Sequence, residues 1–148
     1  GEVSLDNRAD TVGAVALDVH GHLCAAGSTG GVLLKMPGRV GDTPLVGAGF
    51  FADPALGACC CTGVGEAIMT RVLAFTALQE VAGEPLRAQA IAERLCDGAS
   101  AAHGGAAVGL ILLRPDGVAA VANHSDHMSW AIAHGDEAPR GGLSSAEF

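Results

Sequence analysis

The chain has 148 residues, enough for one domain, and 49% of them are apolar, so it can bury a sizeable core. Its formal net charge is −8 and its single lysine is Lys35, which excludes a phosphate-backbone partner, because nucleic-acid binding depends on clustered Lys and Arg. Apolar runs are interrupted within about a dozen residues, short of the ~20 that a spanning helix needs, and the leader GEVSLDNRAD carries no secretory-signal pattern.

In chain order, the first feature is RADTVGAVALDVHG, residues 8–21, where a polar, acidic leader stops at Asp10 and an apolar run opens at Thr11. Branched side chains suit a pleated surface, so residues 12–18 and 22–28 are predicted strands. They are joined through VHGH, in which Gly21 supplies the positive φ of a hairpin turn. TGGVLLKMPGRVGDTPLVGAG, residues 29–49, holds too many glycines and prolines for regular structure. It reads as a long loop carrying Lys35, Arg39 and Asp42, and long loops in compact domains are usually functional.

GACCCTG from Gly57 predicts a strand ending at Thr62. A helix is predicted from Gly65 to Val81, with Ile68, Val72, Phe75 and Leu78 at helical spacing and Glu66 in the first turn, where the dipole favours an acid. A second runs from Pro85 to Ala101, with Leu86, Ala90, Ile91 and Leu95 along one face. AAVGLILL, the turn RPDG and VAAVAN predict a second hairpin, MSWAIAH an edge strand, and the polar stretch from Gly135 a mobile tail. The order ββ, loop, β, αα, ββ predicts an α+β architecture, antiparallel sheet covered by a consecutive helix pair.

Five cysteines, an odd number without C-x-x-C spacing, argue against zinc and against a secreted disulfide framework; a reduced, cytoplasmic compartment fits them. Cys59, Cys60 and Cys61 read as small buried residues of a strand. The cluster NHSDH, residues 123–127, could ligate a metal, but two histidines three apart in a polar loop are more often solvated.

Thr11 offers a different chemistry. Were the Asp10-Thr11 bond broken, Thr11 would carry a hydroxyl nucleophile and a free α-amine, whose unperturbed pKa of about 7.7 suits a general base. TGVGE, residues 62–66, runs from a strand into a helix and could offer backbone N–H donors, although Gly-x-Gly before a helix is also an ordinary turn. Arg39 and Asp42 could hold the carboxylate and ammonium of one small zwitterion, or form a surface ion pair that staples the loop.

Taken together, TVGAVALD, STGG, PGRVGD, GAG and TGVGE, followed by GLILLRPDG and MSWAIA, resemble in order and spacing the β-subunit of the N-terminal-nucleophile (Ntn) asparaginases, the isoaspartyl peptidase/L-asparaginase family. The resemblance runs from Thr11 to about Asp136. It implies half of an αββα sandwich: residues 1–10 a remnant of the α-subunit or linker, 11–136 the β-subunit, 137–148 the tail. It makes Thr11 the nucleophile freed by autoproteolysis of the Asp10-Thr11 bond, with Thr29 hydrogen-bonding its hydroxyl. Arg39, helped by the Gly65 backbone, would take the substrate α-carboxylate, Asp42 its α-amine, and Thr62 with the Gly63 backbone the oxyanion.

The implied reaction is hydrolysis of β-aspartyl peptides and L-asparagine through a β-aspartyl-enzyme, with no cofactor and no metal in the chemistry. Asp10 before the nucleophile departs toward glycosylasparaginase, which stands as an alternative leaving-group specificity. The implied partner is an α-subunit, from the same precursor or a separate chain, in an (αβ)2 heterotetramer. A chain without it could instead be a fragment, a self-associating chain or a non-catalytic remnant.

Overall fold

Local hydrogen bonding accounts for the first element. The computed structural model describes residues 10–148, so all of the predicted 1–10 leader except Asp10 lies outside the described residues. Strands β1 (Asp10–Leu17) and β2 (Leu23–Gly31) form an antiparallel hairpin. At its turn the Asp18 carboxylate accepts the N–H groups of His20 and His22, both at 2.8 Å, and Gly21 takes the expected left-handed conformation at φ +83°.

After the loop come β3 (Phe50–Asp53), β4 (Gly57–Gly63), β5 (Val108–Leu113) and β6 (Ala119–His124), antiparallel in the order β3-β4-β5-β6. Strand β3 is four residues long and carries no alternation to read. Its return to β4 is fixed by Asp53, whose carboxylate accepts from Ala55 N–H at 2.8 Å and Leu56 N–H at 3.1 Å.

The helix expected from Gly65 to Val81 is two helices, α1 (Gly65–Met69) and α2 (Leu73–Gly83). Val72 lies between them at φ +46°, a left-handed conformation unusual for a branched residue. Tertiary hydrogen bonds explain the break. The loop carbonyls of Gly47 and Ala48 accept from Phe75 and Ala74 N–H at 2.9 and 3.2 Å, satisfying donors in the first turn of α2 that a continuous helix would have bonded internally. Ile68 and Leu78 are buried as expected, whereas Val72 and Phe75 are exposed. The second predicted helix starts later, as α3 (Ala88–Ala101), because Pro85–Arg87 form a 3-10 turn. Leu86 is 99% exposed and Ala90 is exposed, so the apolar face is instead Ala88, Ile91, Ala92, Leu95, Cys96 and Ala99.

The three pieces stack as layers. Cys59 and Cys61 join Leu110, Leu112, Ala120 and Ala122 in the core beneath α2 and α3. Cys60 points to the other face, where its thiol donates to the Ala26 and Ala14 carbonyls of the hairpin at 3.2 and 3.4 Å. A methyl group on Gly13 would sit 2.9 Å from Cys60 Cβ, so the missing side chain sets how closely the layers approach. The fold is α+β, and the cysteine triplet is buried packing as expected. Burial pushes the Cys60 thiol up to about 11 and Cys96 to about 12, so both stay protonated at neutral pH.

The expected edge strand does not extend the main sheet. Strand β7 (Trp130–Ile132) pairs with β8 (Arg140–Gly142) in a small separate ribbon. Trp130 anchors it: its indole N–H donates to Ser144 O at 2.9 Å, and its ring meets Phe148 edge-on at 5.0 Å. The polar stretch from Gly135 therefore contains a strand, β8. No helix among the described residues is long and apolar enough to cross a membrane.

Candidate active site

Cross-strand register brings two of the expected site residues together. Thr11 and Thr29 lie directly opposite on β1 and β2, so both side chains leave the same face. The Thr11 hydroxyl donates to Thr29 Oγ1 at 3.0 Å, and Thr29 Oγ1 also accepts the Gly31 N–H at 3.0 Å. Donating its proton to a fixed acceptor raises electron density on Thr11 Oγ, the direction a nucleophile requires.

Thr11 lines a cavity of about 610 Å³ together with Thr62, Gly63, Ser125, His127 and Met128. Thr62 and Gly63 end β4 against β5, opposite Gly109 and Val108. Gly63 has φ +124°, and a methyl group there would lie 2.1 Å from the Ala107 carbonyl oxygen. That carbonyl also accepts the Val64 N–H at 2.8 Å, which fixes the turn leading into α1.

Arg39, Asp42 and Gly65 meet in a second cluster, outside the walls of that cavity. A Cβ on Gly65 would lie 2.9 Å from Asp42 Oδ1 and 3.0 Å from Arg39 Nη2, so both loop side chains converge on this one glycine. The turn from Thr62 to Gly65 links the two clusters within four residues. Arg39 is not free: it forks onto Glu66, with Nε–Oε1 3.2 Å, Nη2–Oε1 3.1 Å and Nη2–Oε2 3.1 Å. Glu66, read in the sequence only as a helix-dipole residue, is thus the missed member of the site. The available signal was an unassigned acid inside TGVGE beside a glycine-rich loop that carries an arginine.

Asp42 is 6% exposed, and its Oδ2 has no hydrogen-bond partner among the described residues. Burial raises its pKa above 3.8, opposed by the backbone N–H groups of Asp42 and Thr43 and by the charge of Arg39. A buried carboxylate with an orphan oxygen is costly alone and suited to a cationic ligand. Because the folded chain holds this proton more tightly than the unfolded chain, ionising Asp42 lowers stability above its raised pKa, and the loss vanishes below 3.8. Asp42→Asn should therefore raise the thermal midpoint at neutral pH, a stability gain of order 1 kcal/mol that fades as pH falls through the raised pKa and is gone below 3.8. Thermal melts across that range check it.

The histidines are dispersed. His22 Nδ1 contacts Asp18 Oδ2 at 2.9 Å, and His124 Nδ1 contacts Asp97 Oδ1 at 2.8 Å. His103 contacts Thr70 Oγ1 at 3.2 Å. His127 lines the same cavity as Thr11. Among the described residues no three His, Cys, Asp or Glu side chains form a group that could hold a metal ion.

A family model described as Asparaginase matches residues 2–142. The chain is 43% identical over 135 residues to an isoaspartyl peptidase of Escherichia coli strain K12, covering 90% of this chain and 41% of that protein. It is 46% identical over 128 residues to an isoaspartyl peptidase/L-asparaginase of Bos taurus, covering 83% and 39%. A plant-type L-asparaginase of Pyrobaculum calidifontis is 64% identical over 69 residues, covering 47% and 23%. Where the match extends along most of the chain, it spans about two fifths of the relative's length.

Proposed function

The chain belongs to the asparaginase family, and from that premise we infer that it is the nucleophile-bearing part of a hydrolase of β-aspartyl peptides and L-asparagine. The observation that carries the reading is the Thr11 hydroxyl, bonded to Thr29 at 3.0 Å on the wall of a cavity shared with Thr62 and Gly63.

Cleavage of the Asp10-Thr11 bond would give Thr11 a free α-amine within reach of its own hydroxyl, with a pKa of about 7.7 in water. Thr11 Oγ then attacks the β-carbonyl carbon of the substrate as the amine accepts the hydroxyl proton. Negative charge moves onto the carbonyl oxygen, where Thr62 and the Gly63 backbone would receive it. The departing ammonia or amine takes the proton back from the α-ammonium, leaving a β-aspartyl ester on Thr11. Water hydrolyses that ester, releasing aspartate and restoring the hydroxyl.

Recognition follows from the second cluster. Arg39 already engages a carboxylate through its fork, the geometry a substrate α-carboxylate would use once Glu66 moves aside. The unpartnered Asp42 Oδ2 would accept from the substrate α-ammonium, and Gly65 leaves room between the two. The outer face of the hairpin exposes small apolar residues, among them Val12 at 65%. An α-subunit from the same precursor or a separate chain would cover it, in an (αβ)2 assembly. The five free thiols are consistent with a cytoplasmic location.

The test is to purify the full-length translation product and follow its intact mass while assaying a β-aspartyl dipeptide. Breakage between Asp10 and Thr11, with turnover appearing in parallel, is the expected result. A product that stays whole and inactive would make the protein a non-catalytic family member. Faster turnover of N-acetylglucosaminyl-asparagine would reassign it as a glycosylasparaginase.

A further inference from the structure

We propose that Lys35 is a positioning residue for breakage of the Asp10-Thr11 bond, acting through a β-bulge that it locks opposite that bond. This rests on the self-cleavage reading above and adds a residue to it.

The register of the hairpin locates the bulge. From Leu17 back to Thr11, every β1 residue has one partner on β2, ending with Thr11 opposite Thr29. Asp10 is opposite Gly31, so Gly30 is an extra β2 residue facing the peptide bond between Asp10 and Thr11. A bulge of this kind bends the strand and re-aims the neighbouring side chain. Here the neighbour is Thr11, and the dislocation falls at the bond to be cut.

Two side chains hold the bulge from opposite ends. Thr29 Oγ1 accepts the Gly31 N–H, as described, and the Lys35 ammonium donates to the Gly30 carbonyl at 2.6 Å. Gly31 is at φ +76°, and a methyl group there would come within 3.0 Å of Lys35 Cδ and 3.2 Å of its Nζ. The lysine stem therefore lies across the space that a side chain on Gly31 would fill.

Backbone strain points the same way. Lys35 reaches back over β2 because Leu34 adopts φ +56°, a conformation unfavourable for a residue with a Cβ. Leu34 is 83% exposed, so burial of its own side chain does not offset that strain. What the turn achieves is the placement of Lys35, with Lys35 N–H bonded to Val32 O at 3.3 Å. Strain held by the surrounding structure is characteristic of functional sites.

In the cleavage step, Thr11 Oγ adds to the Asp10 carbonyl carbon and gives up its proton to a base. The Thr11 nitrogen leaves that carbon, taking a proton, and an ester between Asp10 and Thr11 forms. Water then hydrolyses the ester, releasing the Asp10 carboxylate and freeing both the Thr11 hydroxyl and its amine. Lys35 enters no bond in this sequence; it fixes the geometry from which Oγ reaches the carbonyl.

The experiment compares wild type, Thr11→Ala, Lys35→Met and Lys35→Arg in the full-length translation product, timing cleavage by intact mass and measuring KM for a β-aspartyl dipeptide after cleavage. Lys35→Met should slow cleavage about tenfold or more, the scale of one charge-assisted hydrogen bond, while KM stays within about twofold because Arg39 and Asp42 are untouched. Lys35→Arg, which keeps the charged donor, should restore most of the rate. Cleavage of Lys35→Met at the wild-type rate overturns the proposal, as does equal slowing in the Met and Arg variants, which would assign Lys35 to packing alone. If Lys35→Met fails to fold, the same comparison is read on Lys35→Gln. A wild-type protein that never cleaves overturns the self-cleavage reading itself; one that cleaves beside an unimpaired Lys35→Met sinks only the lysine.

Discussion

Thr11→Ala should leave the Asp10-Thr11 bond whole and reduce hydrolysis of a β-aspartyl dipeptide by at least about 10⁴-fold, the scale on which removing a covalent nucleophile acts. Both effects trace to one atom, because Thr11 Oγ is the group expected to attack first its own peptide bond and then the substrate. The fold should hardly register the change. Thr11 is half-buried and, among the described residues, its side chain makes one hydrogen bond, to Thr29, so the stability loss is about 1 kcal/mol. Thr11→Ser keeps a hydroxyl and should cleave and turn over, more slowly, because the lost methyl frees the rotamer that β-branching holds. Intact mass, thermal melts and the dipeptide assay together separate these outcomes. An alanine variant that still hydrolyses substrate would remove Thr11 from the chemistry.

The sequence was legible where local rules and tertiary structure agree. Gly21 closes the first hairpin, Cys59 to Cys61 are buried, and the glycine-rich loop lacks regular structure over most of its length for the reasons its composition suggests. It misled where a distant group decided the outcome. Val72 falls on a helical stripe, yet the carbonyls of Gly47 and Ala48 start a new helix beyond it. Leu86 reads as core, but Pro85 begins a 3-10 turn that leaves it in solvent. Of the candidate site, Thr11, Thr29, Thr62, Gly63, Gly65, Arg39 and Asp42 were named through the family resemblance, and the structure groups them in two neighbouring clusters. Glu66 as the partner of Arg39 was not, because ion pairing between a loop and a helix start has no fixed spacing. Lys35 was named on the loop but given no role, for a related reason: its target is a backbone carbonyl, and a bulge leaves no mark in residue type beyond glycine.

TGVGE contains two glycines in very different surroundings, so their alanine variants should fail in different ways. Gly63 stands at φ +124°, and its added methyl would lie 2.1 Å from the Ala107 carbonyl oxygen, a backbone atom with no rotamer to yield. Gly63→Ala must part β4 from β5 at that end, and a loss of about 4 kcal/mol or more is expected, seen as a collapse of the thermal midpoint. Gly65 has no such strain: it opens α1, where alanine is favoured over glycine by up to about 1 kcal/mol in a helix interior. Its added methyl meets two side-chain ends, Asp42 Oδ1 at 2.9 Å and Arg39 Nη2 at 3.0 Å, and the backbone nitrogen of Asp42 at 3.1 Å, so the side chains must swing away and the loop must give by a few tenths of an ångström. Gly65→Ala should therefore lose far less stability than Gly63→Ala while the Arg39 and Asp42 side chains, the proposed recognition groups, are displaced. KM should rise about 100-fold, the cost of weakening two charge-assisted contacts, with kcat much less affected. The pair divides the motif between two tasks: Gly63 lets the sheet reach the cavity, and Gly65 lets Arg39 and Asp42 converge beside it. A Gly65→Ala enzyme with unchanged KM would mean that Arg39 and Asp42 hold the loop and not the substrate.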